Sequence, residues 1–128
     1  MNVEDSKLYN IEFDDRTDYL YAYVSGDKDS LDISRQYWRE IADECRRTKK
    51  SKVLIVEDIK ESVSTTETYQ IASEISSMGF AGIKIAFIDQ HIEQQELNEF
   101  GELVSTNRGL NVKLFNKVEE AEKWLLSK

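Results

Sequence analysis

"KVLIVED" (residues 52–58) is an unbroken apolar run closed by two acids. A strand with one solvated face alternates apolar and polar residues, whereas a strand covered on both faces does not. The run therefore predicts a central strand, and "IKIAFID" (83–89) repeats the pattern. Between the two, "STTETYQIASEISSMG" (64–79) places Thr68, Ile71, Ala72, Ile75 and Met78 on one helical face. Two buried strands separated by a helix form the unit of a parallel α/β sheet, and its crossover is expected to be right-handed.

Upstream, "LYNIEF" (8–13) and "DYLYAYVSG" (18–26) read as strands, joined as a hairpin by the short polar "DDRT". Tyr19, Tyr21 and Tyr23 alternate with Leu20, Ala22 and Val24, a period of two. "SLDISRQYWREIADECRR" (30–47) reads as a helix with Leu31, Ser34, Trp38, Ile41, Ala42 and Cys45 inward. Downstream, "IEQQELNEFGELVSTNRG" (92–109) is a helix stopped by Gly109 in the left-handed C′ position. "NVKLF" (111–115) is the last strand. "NKVEEAEKWLLSK" (116–128) is the closing helix, with Asn116 and Glu119 as its capping box. The order β-β-α-β-α-β-α-β-α predicts an α/β fold, a mainly parallel open sheet with an antiparallel first strand. With 128 residues, no proline, no Gly/Ser linker and no repeat, one domain over 1–128 is expected.

Lys plus Arg number 17 and Asp plus Glu 25, a formal charge of −8. That sign repels phosphate backbones and anionic lipid, so nucleic acid is not an expected partner. The cations Arg46, Arg47, Lys49, Lys50 and Lys52 sit where a helix ends and read as partners of its negative pole. No apolar run approaches the roughly 20 residues that cross a bilayer, so membrane insertion is not expected. Cys45 is the one cysteine, and the opening "MNVEDSKLYN" is polar and acidic. Both point to the cytoplasm.

Ligands of open α/β sheets bind beyond the carboxyl ends of the strands. Asp27, Glu57, Asp58 and Asp89 fall at the expected ends and form a candidate polar edge. A magnesium site would need such acids together with a hydroxyl and a lysine, but Asp27 stands alone after its strand, so neither metal nor cofactor is expected. His91, the sole histidine, reads as a solvated loop residue, and Cys45 as a buried structural thiol. No G-x-S-x-G, G-x-G-x-x-G or G-x-x-x-x-G-K-[ST] is present, and no catalytic residue is assigned. The hydroxyls Ser62, Ser64, Thr65 and Thr66 crowd the start of the second helix. Ser64 and Glu67 have capping-box spacing, and a helix N-terminus also receives a phosphate. Capping and phosphoacceptor roles are both open for this turn.

The element order, carried by "YLYAYVSG", "YWREIADECRR", "KVLIVED", "STTETYQIA", "KIAFID" and "NRGLNVKLF…AEKWL", resembles the STAS domain of bacterial anti-sigma-factor antagonists. It resembles more closely the small stand-alone STAS-like proteins grouped with the SEC14-like lipid-binding fold. The likeness runs from about Leu8 to Leu126. It implies a non-enzymatic protein-interaction module, with an anti-sigma-factor-type kinase as partner. It also implies a phosphoacceptor at the start of the second helix, where Ser64 and Thr65 stand, although "SVSTTE" replaces the family's Asp-Ser-(Ser/Thr)-Gly. The SEC14 kinship implies a different class, a carrier or sensor of an apolar small molecule or lipid. Tyr21, Tyr23, Tyr37, Phe80 and Phe100 would then line its pocket. A homodimeric module is the third reading.

Overall fold

The computed structural model describes residues 8–127. The opening acidic segment up to Lys7, and Lys128 at the end of the expected closing helix, lie outside the described residues. Among those described, five strands form one sheet: β1 (Asn10–Asp15), β2 (Leu20–Lys28), β3 (Lys52–Glu61), β4 (Lys84–Asp89) and β5 (Asn111–Leu114). The helices are α1 (Leu31–Thr48), α2 (Thr65–Ile75), α3 (Gln95–Asn107) and α4 (Val118–Leu126). The element order is the one the sequence predicts.

Strands lie in the sheet in chain order, β1 to β5. β1 is antiparallel to β2, and every later neighbour is parallel. Successive right-handed crossovers in that order put α1, α2 and α3 on one face. The alternation of β3 shows the result. Val53, Ile55 and Ile59 join the large core under the helices, while Leu54 and Val56 join a smaller cluster with Ala121 and Leu125 of α4. β4 splits likewise, with Ile85 and Phe87 on one side and Ala86 and Ile88 on the other. Burial on both faces is why "VLIV" and "IAFI" carry no polar alternation.

Caps fix the helix starts. Ser30 accepts the Ile33 amide at 3.0 Å to open α1. Ser64 opens α2 with a complete capping box, its side chain accepting the Glu67 amide while the Glu67 carboxylate accepts the Ser64 amide. Gly109, at φ +94°, takes the left-handed position that ends α3. Three of the cations at the end of α1 are paired with acids, Arg46 with Asp43, Arg47 with Glu44 and Lys50 with Asp15.

Four expectations need correction. α4 starts at Val118 behind Lys117, so Asn116 falls outside the cap position, Glu119 is not at N3, and the expected box does not form. α2 ends at Ile75 and not at Gly79, because Ser76 turns its hydroxyl onto the Ser73 carbonyl and the chain passes into turns. α3 is preceded by a 3-10 turn, Ile92–Gln94, where the buried Gln94 amide donates to the Ile59 and Lys60 carbonyls at 3.2 Å. β2 and β3 run on to Lys28 and Glu61, so Asp27, Glu57 and Asp58 stand within strands and not beyond them.

Candidate functional site

Adjacent residues of a strand point to opposite faces, and this separates Glu57 from Asp58. Glu57 points beneath the three helices, where only 5 % of its surface is exposed. Asp29, in the connection from β2 to α1, reaches the same place and is equally buried. Its carboxylate accepts the Ser30 amide and the Ser34 hydroxyl, each at 2.8 Å. Between the two acids stands Tyr37 of α1, its Oη 3.2 Å from Asp29 Oδ2 and 3.3 Å from Glu57 Oε2. Burial, together with the negative charges of Asp89 and Asp29, holds the Glu57 carboxyl well above the usual range. Burial likewise raises Asp29, and it raises the Tyr37 phenol well above its ordinary value.

These groups form the polar end of a cavity of about 90 Å³ between the sheet and α1, α2 and α3. Trp38, Ile71, Ala72, Phe87, Leu110 and Val112 supply apolar wall. Trp38 and Phe87 are stacked, with ring centroids 6.0 Å apart and an interplanar angle of 11°. Ser62, Val63 and Thr68 bring the turn before α2 and its first residues to the lining. Gly101 keeps α3 close to α2: a Cβ there would stand 3.4 Å from the Thr68 methyl.

Asp58 faces the other side of the sheet. It accepts the Tyr23 phenol at 2.6 Å and stands 2.8 Å from His91 Nε2. The Tyr23 bond, and then that of His91, holds its carboxyl below the usual range, while Tyr23 is pushed up to about 12, chiefly by its bond to Asp58. Asp89 returns to the three-helix face, taking the His91 amide at 2.8 Å and the Asn98 side chain at 2.7 Å, and burial raises it. Asp27 is exposed and lies 3.6 Å from Lys60. The four acids of the expected polar edge therefore do not converge, and no three His, Cys, Asp or Glu side chains among the described residues are grouped to hold a metal ion.

Of the aromatic residues expected to line an apolar pocket, Tyr37 does so. Tyr21 and Tyr23 are on the α4 face, where Arg16 lies 4.4 Å from the Tyr21 ring. Phe80 is fully buried core, edge-on to Trp38 at 5.7 Å. Phe100 is half-buried and stacks on Tyr69 of α2 at 6.5 Å. At the α2 start Ser64, Thr65 and Thr66 are exposed and Ser62 is half-buried. The Ser64 hydroxyl is engaged in the cap, and Thr68 bonds back to the Ser64 carbonyl at 3.0 Å.

The sequence reading passed over Asp29 and did not recognise Glu57 as buried. A signal was present: Ser34 and Tyr37 are polar groups on the inner side of α1, and buried polar groups need partners. Among the described residues no helix is long and apolar enough to cross a membrane. Compared with known proteins, the chain matches no family model, and no curated protein matches it.

Proposed function

We propose that this chain is a non-enzymatic regulatory module of STAS-like type that binds a small, largely apolar molecule between the sheet and helices α1–α3. The observation that carries the proposal is the cavity, apolar along most of its wall, with Asp29, Tyr37 and Glu57 meeting at its lining. Small-molecule sites have this composition, an apolar lining with a few placed polar groups. The hairpin entry followed by repeated β-α units supports the STAS-like reading. At about 90 Å³ the cavity suits a ligand of a few heavy atoms. A whole lipid chain does not fit it, which narrows the carrier reading to a sensor of small molecules. Ser62, Val63 and Thr68 belong to the lining, so occupancy acts directly on the turn that opens α2.

Amide chemical shifts during titration with n-propanol test this reading. Changes are expected at Ala72, Gly101 and Ser105, which line the cavity. They should be lost in Ala72→Leu, which fills it. Shifts that are absent, or scattered over the surface, would end the proposal.

Exposed hydroxyls favour a second reading, in which the start of α2 contacts a protein partner such as an anti-sigma-factor-type kinase. With Ser64 committed to its cap, Thr65 and Thr66 are the free candidates for phosphate. Added charge there disrupts an interface made for a neutral hydroxyl. Binding of a captured partner should therefore fall in Thr65→Asp at unchanged melting temperature, and equal binding would remove this reading.

A further inference from the structure

We propose that the cavity selects a small organic cation, a primary ammonium on a short apolar body, with the ammonium seated between Glu57 and the Tyr37–Asp29 pair. This rests on the cavity being a ligand site and names the chemical class it takes.

Hydrogen-bond arithmetic leads there. Tyr37 has one hydroxyl proton and two carboxyl oxygens within 3.3 Å. Asp29 already accepts from Ser30 and Ser34. Glu57 has only the longer of the two Tyr37 contacts, made through its Oε2. No salt bridge of the described residues reaches Glu57 or Asp29. A buried carboxyl, with 5 % of its surface exposed, that lines a cavity and lacks a cation is costly to ionise. An ammonium has three donors on a compact charge, enough to serve Glu57 and the acceptors around Tyr37 together.

The rest of the lining agrees in sign. Its charged residues are Asp29, Glu57 and Glu102, with no lysine, arginine or histidine. Asp89 adds a negative charge felt by Glu57. An anion entering this space finds no cation to pair with. Trp38, Tyr37 and Phe87 belong to the lining, and aromatic side chains are favourable neighbours for a desolvated cation. In the free protein burial favours the acid form of Glu57, and Tyr37 has a single hydroxyl proton to offer to Glu57 and Asp29. Arrival of an ammonium ionises Glu57, so the proton leaves for solvent as the ion pair forms.

Titration calorimetry with n-propylamine, n-propanol and propionate at pH 7 separates the outcomes. The amine is expected to bind at least tenfold tighter than the alcohol, and propionate not to bind. Runs in buffers of different ionisation enthalpy should show proton release with the amine and none with the alcohol. In Glu57→Gln the preference for amine over alcohol should collapse to within about twofold. Should that variant fail to fold, proton release by the wild-type protein still decides. Alcohol binding without amine preference overturns the cation assignment and leaves the cavity reading standing. Failure of all three probes overturns both, and preferential binding of propionate overturns the assignment outright.

Discussion

Three helices cover one face of the sheet, while α4 covers part of the other. The two faces treat the same kind of side chain in opposite ways. Glu57 and Asp58 are consecutive, both acidic and both on β3. Under the three helices, Glu57 loses water without gaining a cation, and its acid form is favoured. On the α4 face Asp58 keeps water and gains Tyr23 and His91, so its ionised form is favoured. One residue of pleat decides whether a carboxyl on this strand favours its acid form or its ionised form. The aromatic residues divide similarly, with Phe80 and Trp38 sealed under α1–α3 and Tyr21 half-exposed beside Arg16.

The largest expected effect tests the difference in packing. Phe80→Ala should cost about 3–5 kcal/mol, as for a fully buried aromatic residue, whereas Tyr21→Ala should cost about 1 kcal/mol or less, the value of an exposed cation–π contact and partial burial. Urea unfolding of both variants checks this, and similar losses would erase the contrast between the faces.

Next comes Glu57. Its pKa is raised on folding, so between the ordinary carboxylate range and that raised value the native state holds the extra proton. Stability therefore falls as pH rises through this window. Glu57→Gln removes the penalty and should stabilise the protein by about 1–3 kcal/mol at pH 8, with the gain vanishing near pH 4. Thermal melts across pH measure it, and a loss of stability at pH 8 would mean that the ionised carboxylate has a partner.

The helix that walls the cavity offers a smaller effect. Ser64→Ala should cost about 1 kcal/mol through loss of the cap, and Ser64→Asp close to nothing, since Asp also caps. A negligible loss for Ser64→Ala would detach the turn from α2 stability.

Smallest is Asp58. Its pKa is lowered on folding, so its contribution is present above the ordinary aspartate range and is lost as pH falls through the folded value. Asp58→Asn should cost only a few tenths of a kcal/mol at pH 7, because solvent screens a partly exposed pair, and the cost should fade as pH falls below the ordinary aspartate range. A gain of stability for Asp58→Asn that grows as pH rises would make Asp58 resemble Glu57.

Much of the fold was legible because burial on two faces leaves a plain mark. "VLIV" and "IAFI" have no polar alternation, and the tyrosines of β2 have a clear one. The single antiparallel pair was legible in the hairpin, whereas the order of the strands across the sheet is a finding of the structure. Ends were harder to place, because Asp27 and Asp58 look like terminators yet stand within strands. The site was legible in part. Tyr37 and Glu57 were singled out, but their meeting depends on which face each helix covers, which periodicity alone does not give. Phe80 and Tyr23 were assigned to a pocket on residue type, and their positions place one in solid core and the other on the opposite face. Asp29 was hidden because a helix-preceding Asp before a Ser cap has the ordinary look of a turn.

The sequential strand order has a kinetic side. From β2 onward every strand pairs with its immediate predecessor in the chain, so each parallel pairing closes a loop only one β-α unit long. Loop closure becomes costlier with length, and here no distant segment must be held waiting. The sequence contains no proline, which removes the isomerisation that commonly slows refolding to tens of seconds. A chain leaving the ribosome N-terminus first would present each new strand to an edge already built. The last edge to form, the four-residue β5, is too short to offer a neighbouring chain much template for aggregation.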